Sequence, residues 1–401
     1  MLEHLTRAIA SLSPSEHGFA YYDPTATPSG RGRLSGWIIP AKDLDHVAGM
    51  PTTFGAAQRT VMATTTSRFV QQLLDQGALV PGKSAVSELG MSIDAEPRGL
   101  PAVDNPLYPG CTPGGSSGGA AVMVARGLVR AAHASDAGGS IRVPAAATGT
   151  VGFKPSSPEL AAQGFITTTV SDQAFLHEIR PHRRPMRIAL LIDPLFAPSS
   201  VDPRWARAAT EAAATLARLG HTVERVWPYP DVTDTFMHFR RLISQKVAGL
   251  DEHEGLAGWL SQQGRAVSRR QLTAAQRHSS QLAAHVADHY RADMLLTPTL
   301  AYDPPATGTF SSLEPAQNFD AQTLWSPWCS LFNLSGTAAI SVPWARPGAP
   351  GLPPVAVHLG ALDATDAEVI GVAKELEAHN GWGTEGGNPK YSAVFRLRYS
   401  A

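Results

Sequence analysis

The sequence predicts an α/β protein with one mixed β-sheet in a single domain that spans residues 1–401. A buried strand, Met186–Asp193, is followed by Asp202-Pro203, where the acid is typical of an N-cap and the proline of the first helical position. Gly220 ends this helix, and His221–Trp227 is a second strand. A strand–helix–strand unit favours parallel pairing. Since no linker or repeat divides the chain, three later strands are assigned to the same sheet: Asp293–Pro298, Thr337–Val342 and Pro354–Leu359.

The N-terminal third predicts a series of short elements. Residues 1–12 have the apolar spacing of an amphipathic helix. Leu34–Pro40 is predicted to be a strand that places Lys42-Asp43 at its C-terminal end, where ligands meet the sheet in α/β folds. Thr66–Gln76 is predicted to be a helix, and Ala78–Ser84 a strand.

Two further regions complete the prediction. Gly118–Ala131 is apolar and helical in pattern, and Ala132–Ser135 follows as a short strand. Gly255–Tyr290 is rich in alanine and in helix formers. Thr365–Glu368 is a capping box that opens a last helix, which ends at Asn380-Gly381.

Composition excludes several classes of function. Hydrophobic residues make up 43% of the chain, charged residues 17%, and the net charge is −1, so no basic surface for nucleic acid or an anionic membrane is expected. Two cysteines, Cys111 and Cys329, are too few for a disulfide framework or a four-ligand zinc site. The N-terminus lacks the apolar core of a secretion signal, and no run has the ~18 apolar residues of a spanning helix. We therefore expect a soluble cytoplasmic protein.

Two loops, Gly114–Gly119 and Asp136–Ser140, combine glycine with serine. Glycine is favoured where the backbone bends sharply or approaches another group closely, so N–H groups and hydroxyls are expected to face a ligand here. A P-loop is excluded because Ser116 stands where the lysine is required. A nucleophile elbow matches residues 115–119 literally, but residues 107–113 cannot form the strand that must precede it. A flexible linker is disfavoured because apolar helix follows at once.

Several segments resemble the amidase signature family of serine hydrolases. The central match comprises T-P-G-G-S-S-G-G, then D-x-G-G-S-I-R-V-P-A-A, then Val151–Pro155. Three other matches are Lys42–Leu44 with Val47–Thr53, Gly82–Ser84 with Glu88, and Leu331–Pro343. The resemblance implies a twisted, mixed sheet covered by helices on both faces. It also implies hydrolysis of linear amides without a metal or cofactor.

The family resemblance implies a Ser–cisSer–Lys triad. By motif, Ser140 is the nucleophile, Ser116 the bridging serine and Lys42 the base, whereas Lys83 matches a structural lysine. A serine hydroxyl is a weak nucleophile until a base accepts its proton. Lysine can do this only when neutral, and burial can lower a lysine pKa by ~3–5 units. We therefore expect Lys42 to be buried.

The resemblance also implies roles around the triad. Backbone N–H groups at the second loop form an oxyanion hole, where the loss of one donor typically costs ~10²–10³ in rate. The residues assigned to the hole, besides the nucleophile itself, are Ala137, Gly138 and Gly139. The residues expected to bind substrate are Gly114, Gly115 and Cys111, although a buried inert thiol is an equal interpretation of the last. Residues expected to structure the loops are Ser117, Asp136 and Arg142. Ordinary structural roles are expected for His133 and Lys154. Ordinary core positions are favoured for Trp325, Trp328 and Phe332, with a pocket wall as the alternative.

The favoured function is an amidase that forms an acyl-enzyme on Ser140. Three alternatives stay open at this point: an amidotransferase-type subunit that needs a partner chain, an esterase, and a non-catalytic binding protein on the same scaffold. Residues 164–170 depart from the family pattern, so the substrate is not specified beyond a small-molecule amide. The only protein partner expected for a free-standing amidase is a second copy of the chain.

Overall fold

A large mixed β-sheet and its covering helices form the framework of the protein. The computed structural model describes residues 2–250, 254–346, 348–349 and 351–382. The strands are β1 Phe19–Tyr22, β2 Ala41–Lys42, β3 Pro51–Thr52, β4 Val61–Met62, β5 Gly82–Ser84, β6 Ala131–Asp136, β7 Val151–Lys154, β8 Ala162–Thr167, β9 Arg187–Leu190, β10 Thr222–Arg225, β11 Met294–Pro298, β12 Ala339–Trp344 and β13 Val355–Ala361.

Helices connect most of these strands. The α-helices are α1 Leu2–Ile9, α2 Pro14–His17, α3 Arg68–Asp75, α4 Gly118–Ala125, α5 Arg142–Thr148, α6 Val170–Leu176, α7 Pro203–Arg218, α8 Val232–Gln245, α9 Gly255–Arg265, α10 Arg269–Tyr290, α11 Pro315–Trp325, α12 Ser330–Leu334 and α13 Asp366–His379. No helix within the described ranges is both long and apolar enough to cross a lipid bilayer.

The eight-stranded sheet has the order β10-β9-β11-β13-β12-β7-β8-β6. Strand β9 pairs in parallel with both β10 and β11, and the other neighbouring pairs are antiparallel. The predicted strand–helix–strand unit is therefore β9-α7-β10, and its parallel pairing is confirmed. The mixed character of the sheet is confirmed as well.

Apolar side chains cover both faces of this sheet because they alternate along each strand. In β11, Met294 and Leu296 pack into the cluster that contains Trp205 of α7 and Ile370 of α13. Leu295 faces the opposite cluster, which includes side chains from α8, α9, α10 and α12. Helices therefore lie on both faces, as the α/β prediction requires.

A separate three-stranded sheet, of order β1-β5-β2, holds Lys42. The predicted strand Leu34–Pro40 is wrong: this segment forms turns, with Gly36 at φ 88°, and contributes one isolated bridge through Ile38. Leu34 and Ile39 are apolar because they pack against α3 and Ala78, without a strand ladder. The strand that carries Lys42 is β2, which pairs in parallel with β5.

Other boundaries differ from prediction for local reasons. Helix α4 ends at Ala125, six residues before the predicted end at Ala131, and Gly127 adopts φ 67° just after it. This left-handed glycine terminates the helix and lets β6 begin at Ala131. The capping box at Thr365 and the N-cap at Asp202 are confirmed by their side-chain hydrogen bonds.

Candidate active site

The two Gly–Ser loops lie beside one another, with Lys42 within reach of the first. The first loop leads into α4 and the second joins β6 to α5, and α4 packs against both of these elements. Lys42 Nζ lies 2.8 Å from Ser116 Oγ and donates to the Ser135 carbonyl at 3.0 Å. The Gly115–Ser116 peptide bond is cis. The fold therefore brings Lys42 to a loop serine that is 74 residues away in sequence.

Lys42 is completely buried, and this burial lowers its pKa to about 7 against the opposing charges of Asp136 and Asp45. Its backbone N–H donates to Nδ1 of His133 at 3.1 Å. The other ring nitrogen of His133 lies 2.8 Å from Oε1 of Gln163, and burial lowers the pKa of His133. A neutral His133 therefore fixes the backbone of Lys42, which fits the structural role expected for it.

Lys83 has a different set of partners. Its Nζ lies 2.9 Å from Asp43 Oδ1 and 3.0 Å from Thr52 Oγ1. Burial lowers the pKa of Lys83, and the charge of Asp43 opposes this shift. Of these two lysines, Lys42 alone makes a hydrogen bond to a loop serine in the described part of the chain.

A buried ion pair between Asp136 and Arg142 holds the second loop in place. Both Asp136 and Arg142 have no exposed surface, and two guanidinium nitrogens donate to the two carboxylate oxygens at 2.9 and 3.0 Å. Asn333 donates to Asp136 Oδ1 and accepts from Arg142. Burial acts to raise the pKa of Asp136, but Arg142 and these hydrogen bonds outweigh it and hold that pKa well below its usual range. The ion pair and its hydrogen bonds, called the Asp136–Arg142 clamp below, fix the backbone of residues 136–142.

The N–H groups of this loop differ in their availability. The Gly139 N–H donates to Asp136 Oδ1 at 2.6 Å, so it is already engaged by the clamp. Within the described residues, the N–H groups of Ala137, Gly138 and Ser140 make no hydrogen bond. The predicted oxyanion donors therefore divide into one occupied group, at Gly139, and three available ones.

Ser140 opens onto a narrow cavity of about 70 Å³. Its lining comes from the second loop, from residues 90–93, from helices α8, α11 and α12 and from the segment that joins α11 to α12. The lining residues are Gly90, Met91, Ser92, Ile93, Ala137, Gly138, Ser140, Phe236, Phe239, Ile243, Phe319, Gln322, Thr323, Ser326 and Ser330. Sequence reasoning missed the α8 and α11 side chains. Their signal, an i, i+3, i+7 apolar stripe at Phe236, Phe239 and Ile243, is the pattern of any helix packed on a core.

The three residues expected to bind substrate lie outside this cavity lining. Gly115 is needed for close packing, because a Cβ there would stand 1.5 Å from the Asp94 carbonyl oxygen. Gly114 packs against Pro144 in the same way, and Cys111 forms an isolated bridge with Ala306. Their role in substrate binding stays a prediction.

The other expected residues take structural positions. Ser117 is buried and its hydroxyl lies 3.4 Å from the Ser135 carbonyl. Trp325, Trp328 and Phe332 are fully buried in the two core clusters, as expected of ordinary core aromatics. No group of three or more His, Cys, Asp or Glu side chains among the described residues is arranged to hold a metal ion.

A family model for amidases matches residues 16–178 and 254–370, which is most of the chain. The chain belongs to the amidase signature family. Among curated members, the protein named "Putative amidase AmiC" from Mycobacterium leprae is 30% identical over 427 aligned positions, which cover 93% of this chain and 89% of that one. The AmiC of Mycobacterium tuberculosis H37Rv is 32% identical with the same coverage.

Solved structures of two other proteins share the fold. A structure described as an amidase superposes with a TM-score of 0.79 at 26% identity, covering 95% of each chain. The 6-aminohexanoate cyclic dimer hydrolase superposes with a TM-score of 0.82 at 24% identity, covering 95% of this chain and 93% of its own. The latter likeness supports the fold alone.

Proposed function

We propose that the protein is a serine amidase that hydrolyses the C–N bond of a linear carboxamide through an acyl-enzyme on Ser140. The observation that carries this proposal is the 2.8 Å contact between Ser116 Oγ and Lys42 Nζ, a buried amine whose pKa is about 7. An amine with this pKa is largely neutral just above neutral pH, so it can accept a proton there. Membership of the amidase signature family supports the same reaction class.

In the proposed reaction, Ser140 Oγ attacks the amide carbonyl carbon as its proton passes to Ser116, whose own proton passes to Lys42. The carbonyl oxygen becomes an oxyanion and accepts hydrogen bonds from the available N–H groups of Ala137, Gly138 and Ser140. The C–N bond then breaks, and the amine or ammonia leaves with the proton returned through Ser116. Water attacks the acyl group, and its proton follows the same route, which releases the acid and restores Ser140. No step of this scheme uses a metal ion or a cofactor.

The Asp136–Arg142 clamp contributes to this scheme by holding the loop. It occupies the N–H of Gly139 and of Ile141, the residues on either side of the nucleophile. The N–H groups of residues 137, 138 and 140 are left to face a carbonyl oxygen. Donors fixed before the reaction avoid the cost of reorientation when charge develops.

The direct test replaces Ser140 by alanine. We expect Ser140→Ala to lower kcat/KM for a simple amide by at least ~10³-fold and to abolish covalent labelling by a fluorophosphonate probe. Ser330→Ala is the matched control, since Ser330 also lines the cavity but makes no hydrogen bond to Lys42 within the described residues, and it should keep the labelling. Labelling or turnover that survives in Ser140→Ala would contradict the assignment.

The purified chain alone also separates the remaining alternatives. Amide hydrolysis without any partner is expected of an amidase and not of an amidotransferase-type subunit. An ester turned over while the matching amide is not would indicate an esterase. A properly folded protein in which Ser140 does not react with the probe would indicate a binding protein.

A further inference from the structure

Apolar side chains dominate the wall of the cavity next to Ser140. Phe236 and Phe239 project from α8, and Phe319 projects from α11. The Phe236 ring lies 5.9 Å from that of Phe239 and 6.1 Å from that of Phe319, measured between centroids. Met91, Ile93 and Ile243 extend the same apolar surface. Such a wall favours an apolar group and gains from removing it from water.

None of the described side chains that line the cavity is charged. The buried charges on Asp136 and Arg142, behind the second loop, already pair with one another. The Asp94 carboxyl is buried behind Ser92 and accepts from its hydroxyl, and burial raises the pKa of Asp94 to about 7. Arg240 stacks over the Phe319 ring at 5.5 Å, but it also stacks over Trp259 and does not belong to the lining. A carboxylate or an ammonium group in this cavity would lose its hydration without gaining an opposite charge.

We propose that this cavity selects amides with a neutral, apolar acyl group. The proposal rests on the proposed amidase function and names the substrate class of the same site. It excludes amides that carry a free carboxylate or ammonium on the acyl group, of which glutamine carries both. The walls of α8 and α11 thereby determine specificity, while the two loops carry the chemistry.

The first test uses substrates of matched length. Pentanamide and glutaramate both have a five-carbon acyl chain, but glutaramate ends in a carboxylate, and L-glutamine adds an ammonium group. We expect kcat/KM for pentanamide to exceed that for either charged amide by at least ~100-fold. Equal or better turnover of glutaramate or glutamine would overturn the substrate class and leave the amidase function intact.

The same assay distinguishes failure of this inference from failure of the proposed function. If glutaramate or glutamine is hydrolysed and pentanamide is not, the neutral-acyl inference is overturned alone. If the folded protein shows neither labelling nor turnover of any of the three amides, the proposed amidase function fails, and the inference fails with it.

A charge placed in the wall tests the cavity itself. Phe236→Lys is expected to raise the ratio of kcat/KM for glutaramate to that for pentanamide by at least ~10-fold, since it supplies the missing opposite charge. Phe196 is a matched control: its ring stacks on Phe236 at 5.3 Å but lies outside the cavity lining. Phe196→Lys should leave the ratio unchanged. A change of the same size in both variants would overturn the assignment of the wall.

Discussion

Two buried lysines lie near the Gly–Ser loops, and their partners differ. Lys83 Nζ lies 2.9 Å from Asp43 Oδ1, so the positive charge of Lys83 is stabilised by a carboxylate in the folded protein. Lys42 has no carboxylate within ion-pair distance in the described residues; its Nζ contacts a hydroxyl and a carbonyl. A buried amine without a counter-charge is the one that loses its proton more readily. Family resemblance alone indicated the same choice between the lysines, and the contacts now supply a physical reason.

Alanine substitutions should separate the two lysines. Lys42→Ala removes the proposed proton acceptor, and we expect kcat/KM to fall by at least ~10³-fold with the fold retained. Lys83→Ala leaves Asp43 buried without its partner, so its main effect should be a loss of roughly 3–5 kcal/mol in the free energy of unfolding. Steady-state kinetics and urea denaturation of both variants measure this. A larger loss of kcat/KM in folded Lys83→Ala than in Lys42→Ala would reverse the assignment.

The pH dependence of activity follows from the same group. Burial lowers the pKa of Lys42 to about 7, and the amine accepts a proton only when neutral, so kcat/KM should rise with pH and reach half of its maximum near pH 7. Lys154 is a useful control because burial also lowers its pKa to about 7, while its Nζ donates to backbone carbonyls. Lys154→Met should keep the midpoint. A flat profile in the wild-type enzyme would exclude Lys42 as the base.

At the scale of elements, contiguous motifs were predictable and helix faces were not. The loops at Ser116 and Ser140 carry their own glycines, so their positions and the neighbouring elements α4 and β6 were predicted from local sequence, whereas helix α5 was not. Helix α8 has no such signal, because the stripe that faces the cavity also satisfies the requirement for a buried face. The strand predicted at Leu34–Pro40 is wrong for a related reason, because apolar residues can be buried from a turn as well as from a strand.

The contact between the second loop and α8 leads to a prediction. A Cβ added to Gly138 would stand 2.9 Å from Phe239 Cζ, while its backbone N–H would be kept. Gly138→Ala should therefore destabilise the protein by about 1–3 kcal/mol through overpacking, and it should lower kcat/KM by displacing the ring. Phe239→Leu removes the opposing atom, so the double variant should recover most of both losses. Simple additivity in urea denaturation and kinetics would contradict direct contact between the two elements.

The distances between residues from separate motifs depend on the fold of the whole molecule. Ser116 and Ser140 flank one helix and one strand, but Lys42 comes from a different, three-stranded sheet, and Asn333 reaches Asp136 from a segment 197 residues later. Local sequence does not fix such distances, because they depend on strand order and on packing across both faces of the sheet. The strand–helix–strand pattern indicated the α/β class, whereas the order of the eight strands has no local signature.

Burying lysines has a cost for the whole fold, and that cost depends on pH. The pKa values of Lys42 and Lys154 are lowered from 10.5 to about 7, so between these values the unfolded chain binds more protons than the folded one. Stability must then rise with pH through this window, by up to about 1.4 kcal/mol per pH unit for each lysine, and stop changing from this source below pH 7. Urea denaturation from pH 7.5 to 9.5 measures the slope. Lys42→Met and Lys154→Met should each flatten it by about one proton, and a slope unchanged in both variants would mean that neither lysine is neutral in the folded protein.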